Sequence, residues 1–423
     1  MQNNLKIILV NYRYFISGGP ERYMFNVKEL LESHGAKVVP FSIKHNLNRP
    51  TEYDSYFLDP IGKGNEVYFS EYKINNLKSI LQSFGRLFYS FEARKKLSKL
   101  IKEIKPDLVY VLYYQNKLSP SIFDAAKKHR VPVVVRISDF GNICAANHFY
   151  LSKKQEVCEK CLDKGQFHSV LNKCYHNSYI YSAFKYFSYV LHDIIKVSNK
   201  IDAFVIPSKF TKEKFIKFGI PKEKIFNIPT FSNVKTNSII SYDNFALFIG
   251  RIDRDKGIKT LVDAFINTEF NLKIIGFSST NYDEQIKDYL KDKKHNITFH
   301  GKLTFDEIVP YLETCSFTIV PSECYDNFPN TILESFAFKK AVVASDLGSL
   351  KELVVHNETG LLFENKNSNQ LKIMVSSLLN DKDKVKILGE NGYQKLTSEF
   401  SIENHYESLI NLFNSLVSKK PVL

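Results

Sequence analysis

The chain has 423 residues, 44% of them hydrophobic, and a formal net charge of +13. It is too long for one core and long enough for two, and its longest apolar runs fall far short of the roughly 18 residues needed to span a bilayer. The start MQNNLKIILV lacks the charged-then-apolar pattern of a signal peptide, so a cytosolic protein is expected, whose excess lysine is either solvated surface or an attraction for anionic partners.

LKIILVNY (5–12) reads as a buried strand, SGGPER as a glycine turn, and YMFNVKELLESHG as a helix with apolar positions at helical spacing and a glycine stop. AKVVPFSI, KPDLVYVLY, SIFDAAKKHR and VPVVVRIS continue a strand and helix alternation, which implies a parallel sheet with helical crossovers. Residues 84–105, FGRLFYSFEARKKLSKLIKEIK, mix aromatic and basic residues at helical spacing, as either an interfacial helix or a core-packed one would. Residues 139–178 break the rhythm as an insertion too long to be idle. AFVIPS, KFTKEKFIKFG and KIFNIPT close this half, and the polar stretch 231–244 reads as a linker. FALFIGRIDRDKGIKTLVDAF then opens a second α/β half, with NLKIIGFSS, NITFHGKLT, SFTIVPSE, KAVVASDLG and GLLFE as further strands and helix beyond Asp381. The expected fold is α/β, with two doubly wound Rossmann-like domains facing across a cleft: residues 1–232 with the 139–178 insertion, residues 240–400, and a helix over 401–423 packing back towards the first domain.

Four of the six cysteines, Cys144, Cys158, Cys161 and Cys174, fall within the insertion, spaced C-x13-C-x2-C-x12-C. In a reducing compartment this spacing suggests a structural zinc site, with free buried thiols or a redox pair as alternatives, and His148, His168 and His176 as substitute ligands.

GRIDRDKG follows a strand directly and sets Arg251 and Lys256 between Gly250 and Gly257. An arginine fork and a lysine point charge on such a loop suit a diphosphate. Asp253 and Asp255 have a DxD spacing, but the flanking cations would compete with a bound metal. In CYDNFPNTILESF, Pro329 suits a first helical turn, placing Glu334 about one turn into the helix and Asp326 before its anion-attracting N-terminus. Gly18 and Gly19 lie where backbone can approach a ligand, or simply turn tightly, and Glu21 reads as a first-turn acid.

GGPERYMFNVKELLESHG, GRIDRDKG, PSECYDNFPNTILESFAFKKAVVAS and GSLKELVVHNETGLLF, in this order and spacing, resemble the retaining family-4 glycosyltransferases of GT-B architecture. The resemblance implies transfer of a sugar from a nucleotide-sugar donor to a saccharide or lipid-linked saccharide acceptor, without a catalytic metal or cofactor. It implies that Arg251 and Lys256 hold the leaving diphosphate, Glu334 the ribose, and Asp326 the sugar. Gly18, Gly19, Asn327, Phe328 and Pro329 complete the implied donor site, the backbone N–H groups of Asn327 and Phe328 facing sugar and phosphate. Two departures stand out: Asp326 occupies a position usually held by glutamate, and Ser138 stands where many relatives carry histidine, leaving Asp139 alone. Relatives that build bacterial surface polysaccharides make peripheral membrane contact an expectation. A sugar-nucleotide epimerase of the same architecture is the alternative enzyme, and a non-catalytic anionic-ligand-binding protein the alternative outside catalysis; a nucleic-acid partner is not expected, because the lysines are dispersed rather than clustered with stacking aromatics.

Overall fold

The structure, a computed structural model, describes residues 4–66, 77–234, 240–278 and 280–419. The first half contains strands β1 (Lys6–Val10), β2 (Lys37–Phe41), β3 (Leu108–Val111) and β4 (Val133–Arg136), a hairpin of β5 (Tyr150–Leu151) and β6 (Glu156–Val157), then β7 (Ala203–Ile206) and β8 (Ile225–Asn227). Its helices are α1 (Gly19–Ser33), α2 (Leu77–Leu87), α3 (Phe91–Ile104), α4 (Ser121–Lys128), α5 (Lys160–Asp163), α6 (His168–Leu171), α7 (Tyr179–Ile194) and α8 (Lys209–Phe218). The second half contains β9 (Ala246–Ile249), β10 (Asn271–Ile275), β11 (Asn296–Gly301), β12 (Phe317–Val320), β13 (Ala341–Ser345) and β14 (Gly360–Phe363). Around them lie α9 (Ile258–Phe265), α10 (Tyr282–Leu290), α11 (Phe305–Thr314), α12 (Asn330–Ala337), α13 (Leu350–Leu353), α14 (Ser368–Leu379), α15 (Lys382–Glu399) and α16 (Ile402–Val417).

Two six-stranded sheets result, in the orders β2-β1-β3-β4-β7-β8 and β11-β10-β9-β12-β13-β14, with every pairing within them parallel. Parallel strands need helical crossovers, which cover both faces of the sheet, so their inner strands are near-continuous hydrophobic runs. LVYV in β3, VVVR in β4 and AVVAS in β13 are buried at every position. The fold is thus the two-domain GT-B arrangement of doubly wound α/β halves. Each sheet buries two cores, one per face: Val10, Val111 and Val135 on one side of the first sheet, Leu9, Tyr110 and Val134 on the other.

The chain crosses between halves twice. Phe231 is still in the first core, Val234 and Ile240 pack on the second, and residues 235–239 of the expected linker lie outside the described residues. The return is α16, whose Leu409, Ile410, Leu412 and Phe413 are buried with Ile7, Leu9 and Tyr110 of the first half. His405 locks it there: one ring nitrogen lies 2.7 Å from the Pro229 carbonyl, the other 3.1 Å from the Tyr23 hydroxyl.

Two expectations are corrected and one element is new. Residues 84–105 are not one helix: α2 ends at Leu87 and α3 restarts at Phe91, with Ser90 as its cap accepting from the Ala93 N–H at 3.1 Å. Of the two, α3 is core-packed, through Ala93, Leu97, Leu100 and Ile101. Pro329 does not enter the first turn of α12; it is the extended N-cap residue before Asn330. The long helix α7, directly after the insertion, has no counterpart in the sequence reading.

His405 generates a pH prediction. Burial pushes its pKa down to about 4, with the Pro229 carbonyl opposing. The unfolded chain therefore takes up a proton at this residue between about pH 6.5 and 4 that the folded chain does not, and stability falls as pH falls through that window. Between about pH 7 and about pH 5 the loss is about 2 kcal/mol. Urea unfolding of His405→Gln should show an acid sensitivity smaller by this amount, and equal losses in variant and wild type would disprove a neutral buried imidazole.

Candidate active site

In each sheet the strand order reverses beside the first strand, between β1 and β3 and between β9 and β12. Loops leaving such switch points diverge and open a crevice at the carboxyl ends of the strands. The two crevices face each other and form one cleft of about 660 Å³. Gly18, Gly19, Arg251, Lys256, Asp326, Asn327, Phe328, Pro329 and Glu334 all line it.

The loop after β9 is shaped by Gly257. Its φ is +68°, and a Cβ there would stand 1.8 Å from the Pro321 carbonyl oxygen, so only glycine lets the loop turn into α9 while pressed against the loop after β12. The Glu323 N–H donates to the Asp255 carbonyl at 2.8 Å and joins the two loops. Across the cleft Gly18 is extended and unstrained, and Gly19 is the first residue of α1. A Cβ on Gly19 would come within 2.9 Å of the Asn330 side-chain nitrogen, so the close approach it allows is between the two halves.

The charged groups answer one another. Lys256 pairs with Asp326; although burial works against its charge, Asp326 raises the lysine pKa. Arg251 pairs with Asp253 and, at 3.0 Å, with Asp255. Burial opposes ionisation of both Arg251 and Asp255, but the surrounding charges together outweigh it, Asp255 and Asp253 foremost for the arginine and Arg251 and Lys256 for Asp255, so the arginine pKa rises and the Asp255 pKa falls. The DxD carboxylates thus serve the arginine. Glu334, in the second turn of α12, is buried and meets Arg22 of α1 at 2.9 Å; burial raises its pKa, with Arg22 opposing.

The Asn327 side chain closes the cleft floor, donating to the Ile137 carbonyl at 2.8 Å and accepting from Thr211 at 2.7 Å. Ser138 donates to the Leu112 carbonyl at 3.1 Å, and beside it Asp139 accepts from the Gly141 N–H at 2.8 Å, its pKa raised by burial.

Several cleft residues escaped the sequence reading. Arg22 follows two glycines, a proline and a glutamate with no motif to single it out. Glu21 is a first-turn acid as read, yet it is 2% exposed, accepts from Ser17 at 2.9 Å, and lies 3.8 Å from Arg13; burial raises its pKa. Arg136 projects from the end of β4, stacked 3.7 Å from the Tyr23 ring centroid and bonded to Thr230 at 2.7 Å. His148, considered above as a metal ligand, lines the cleft instead. Burial lowers its pKa and keeps the imidazole neutral, with Asp255, Arg251, Lys256 and Asp326 as the charges it senses.

The insertion gathers its thiols without a disulfide: Cys144 is buried, Cys158, Cys161 and Cys174 are half-buried, and all are free. Burial, with a smaller contribution from the neighbouring thiols, raises Cys144 to about 11 and Cys161 and Cys174 to about 12. Among the described residues, no three His, Cys, Asp or Glu side chains stand in a metal-holding arrangement.

Residues 232–395, essentially the second half, match the family model described as glycosyl transferases group 1. An uncharacterized glycosyltransferase of Methanocaldococcus jannaschii is 30% identical over 222 residues, covering 48% of this chain and 62% of the relative. The capsular polysaccharide biosynthesis glycosyltransferase CapM of Staphylococcus aureus is 25% identical over 54% of this chain and 62% of its own length. The chain thus spans about three fifths of the curated relatives it matches. Among solved structures, sucrose-phosphate synthase from Thermosynechococcus elongatus is similar with a TM-score of 0.69 at 18% identity, over 98% of this chain and 99% of that one. Anabaena HepE, solved with UDP and glucose, is similar with a TM-score of 0.64 at 16% identity, over 97% and 100%.

Gly257→Ala should cost at least about 2 kcal/mol, combining left-handed backbone strain with displacement of the β12 loop. Thermal melting checks it, and an unchanged midpoint would show that the loop is not held as described.

Proposed function

We propose that the protein is a retaining glycosyltransferase that moves a sugar from a nucleotide-sugar donor to an acceptor hydroxyl, in assembly of a bacterial surface polysaccharide or glycolipid, without a catalytic metal. The observation that carries this reading is the cleft itself: Arg251, Lys256, the N-terminus of α12, Asp326 and Glu334 converge from the switch-point loops of one half, facing a wall supplied by the other. The family match to that same half supports it, as does the likeness to a capsular polysaccharide enzyme. HepE, which holds UDP and glucose, makes UDP-sugars the first donors to assay.

In this mechanism the diphosphate takes Lys256 from Asp326 and lies against Arg251, so the negative charge that grows as the anomeric C–O bond breaks meets cations already in place. Glu334 exchanges Arg22 for the ribose hydroxyls. Asp326, released from its lysine, accepts from sugar hydroxyls and favours positive charge at the anomeric carbon. The acceptor oxygen bonds to that carbon on the face the phosphate leaves, and its proton passes to the departing phosphate oxygen. No protein base is required.

Arg251→Ala and Lys256→Ala should each lower turnover by ~10²-fold or more while remaining folded. Turnover near wild type would refute the phosphate assignment, and activity abolished by EDTA would refute metal independence. The two carboxylates should separate by role. Glu334→Ala should weaken donor and free nucleoside diphosphate alike, whereas Asp326→Asn should slow transfer and leave nucleotide affinity nearly unchanged. Calorimetry beside product assays reads both, and equal loss of nucleotide binding in the two variants would overturn the division.

We also propose that Cys144, Cys158, Cys161 and Cys174 hold one structural zinc ion, on the strength of their C-x13-C-x2-C-x12-C spacing; binding would draw the thiols closer together than they stand here, where no three form a metal-holding group among the described residues. Zinc would convert the protonated thiols to thiolates with release of protons and brace the insertion. Elemental analysis should find one zinc per chain, absent from Cys158→Ser/Cys161→Ser, whose melting point should drop. A metal-free wild type of full stability leaves only buried thiols.

A further inference from the structure

Helix α7 has two faces with different surroundings. Inward, the Tyr189 hydroxyl donates to the Gly141 carbonyl at 2.7 Å, tying the helix to the loop that holds Asp139 in the cleft wall. Outward, Ile180, Phe187 and Ile194 recur every seventh residue and are 67%, 57% and 69% exposed. Helix α2 lies alongside: the Phe84 and Phe184 rings meet edge to face at 5.1 Å, and the His192 ring reaches the Phe88 carbonyl at 3.0 Å. On α2, Leu77, Ile80, Leu81 and Phe84 share one helical face, and that face too is open to solvent.

These stripes belong to one concentration of apolar surface. Of the eighteen large apolar side chains exposed among the described residues, twelve fall within residues 77–91 and 167–194. An apolar patch of this kind on a folded chain marks an interaction site. Its charge narrows the partner. Neither residues 77–91 nor residues 164–192 contain a single aspartate or glutamate, although the whole chain has 45. Lys78, Lys164 and Lys173 fall there instead, with Glu92, Asp163 and Asp193 only at the margins. Two adjacent helices exposing apolar stripes edged by lysine suit the boundary between headgroups and acyl chains of an anionic bilayer.

We propose that the α2–α7 face docks the protein on an anionic membrane surface. Among the described residues no helix is long and apolar enough to cross a membrane, so the contact lies in the interface plane. Because the inner side of α7 braces the cleft wall, a docked protein presents that wall close to the lipid, where a lipid-linked acceptor would be met. This last step rests on the transferase reading; the docking itself does not.

Vesicle sedimentation of the full chain, with no sugar nucleotide present, tests it. Wild type should sediment with phosphatidylcholine vesicles containing phosphatidylglycerol, much less with phosphatidylcholine alone, and less as salt is added. Leu81→Ser/Phe187→Ser should reduce the bound fraction roughly tenfold, and Leu77→Ser/Ile180→Ser should do the same; all four positions are solvent-exposed, and circular dichroism and transfer to a soluble acceptor should match wild type. Wild type left in the supernatant at low ionic strength, or variants that bind like wild type, would overturn the proposal. So would light scattering that shows a wild-type dimer dissociated by these substitutions, since the face would then belong to a second copy of the chain. A failure to sediment leaves the transferase reading intact, because sedimentation with vesicles does not depend on catalysis.

Discussion

Charge brought out of water must be answered, and in this protein that constraint organises the space between the two sheets. Lys256 is answered by Asp326, Arg251 by Asp253 and Asp255, and Glu334 by Arg22. Leaving Lys256, Asp326 or Glu334 buried and unpaired would cost several kcal/mol, whereas the Arg251 side chain, half exposed, is screened by solvent and costs less. The loops that carry them are accordingly held by glycine turns and backbone bonds rather than left free, as with Gly257 against Pro321.

The same pairing makes the cleft responsive. A ligand displaces Lys256, Arg251 or Glu334 from its partner only by supplying what that partner supplied, negative charge for the two cations and hydrogen-bond donors for the carboxylate. One of the pairs spans the halves: Arg22 belongs to α1 and Glu334 to α12. Whatever takes Glu334 from Arg22 removes one of several bonds that join the halves, beside those of Asn327 to Ile137 and Thr211.

The insertion is part of this arrangement. It places the neutral His148 imidazole in the cleft near the very charges that Lys256 and Asp326 carry. Its Tyr150 hydroxyl donates to Glu323 at 3.2 Å, and its Glu159 accepts from Tyr325 at 2.7 Å while pairing with Lys214 at 2.6 Å. A segment that looks like an interruption of the alternating pattern therefore fastens the first half to the β12 loop of the second.

What the sequence determined by itself is local or periodic. Largely apolar runs such as VVVR and FTIV, alternating with helices of 3.6-residue period, have one stable solution, a covered parallel sheet, and strand ends followed by glycine and charged residues mark where its loops open. Arg251, Lys256, Asp326 and Glu334 were legible as cleft-lining positions for that reason, being carried by strand-loop-helix units of one half. Tertiary structure decided whatever depends on residues far apart in the chain. No local pattern says that Arg22 reaches Glu334, that His148 leaves the cysteines for the cleft, or that the apolar stripes of α2 and α7, a hundred residues apart, fall side by side facing solvent. A helix's periodicity states that it has an apolar face; only the packing of its neighbours states whether that face is covered.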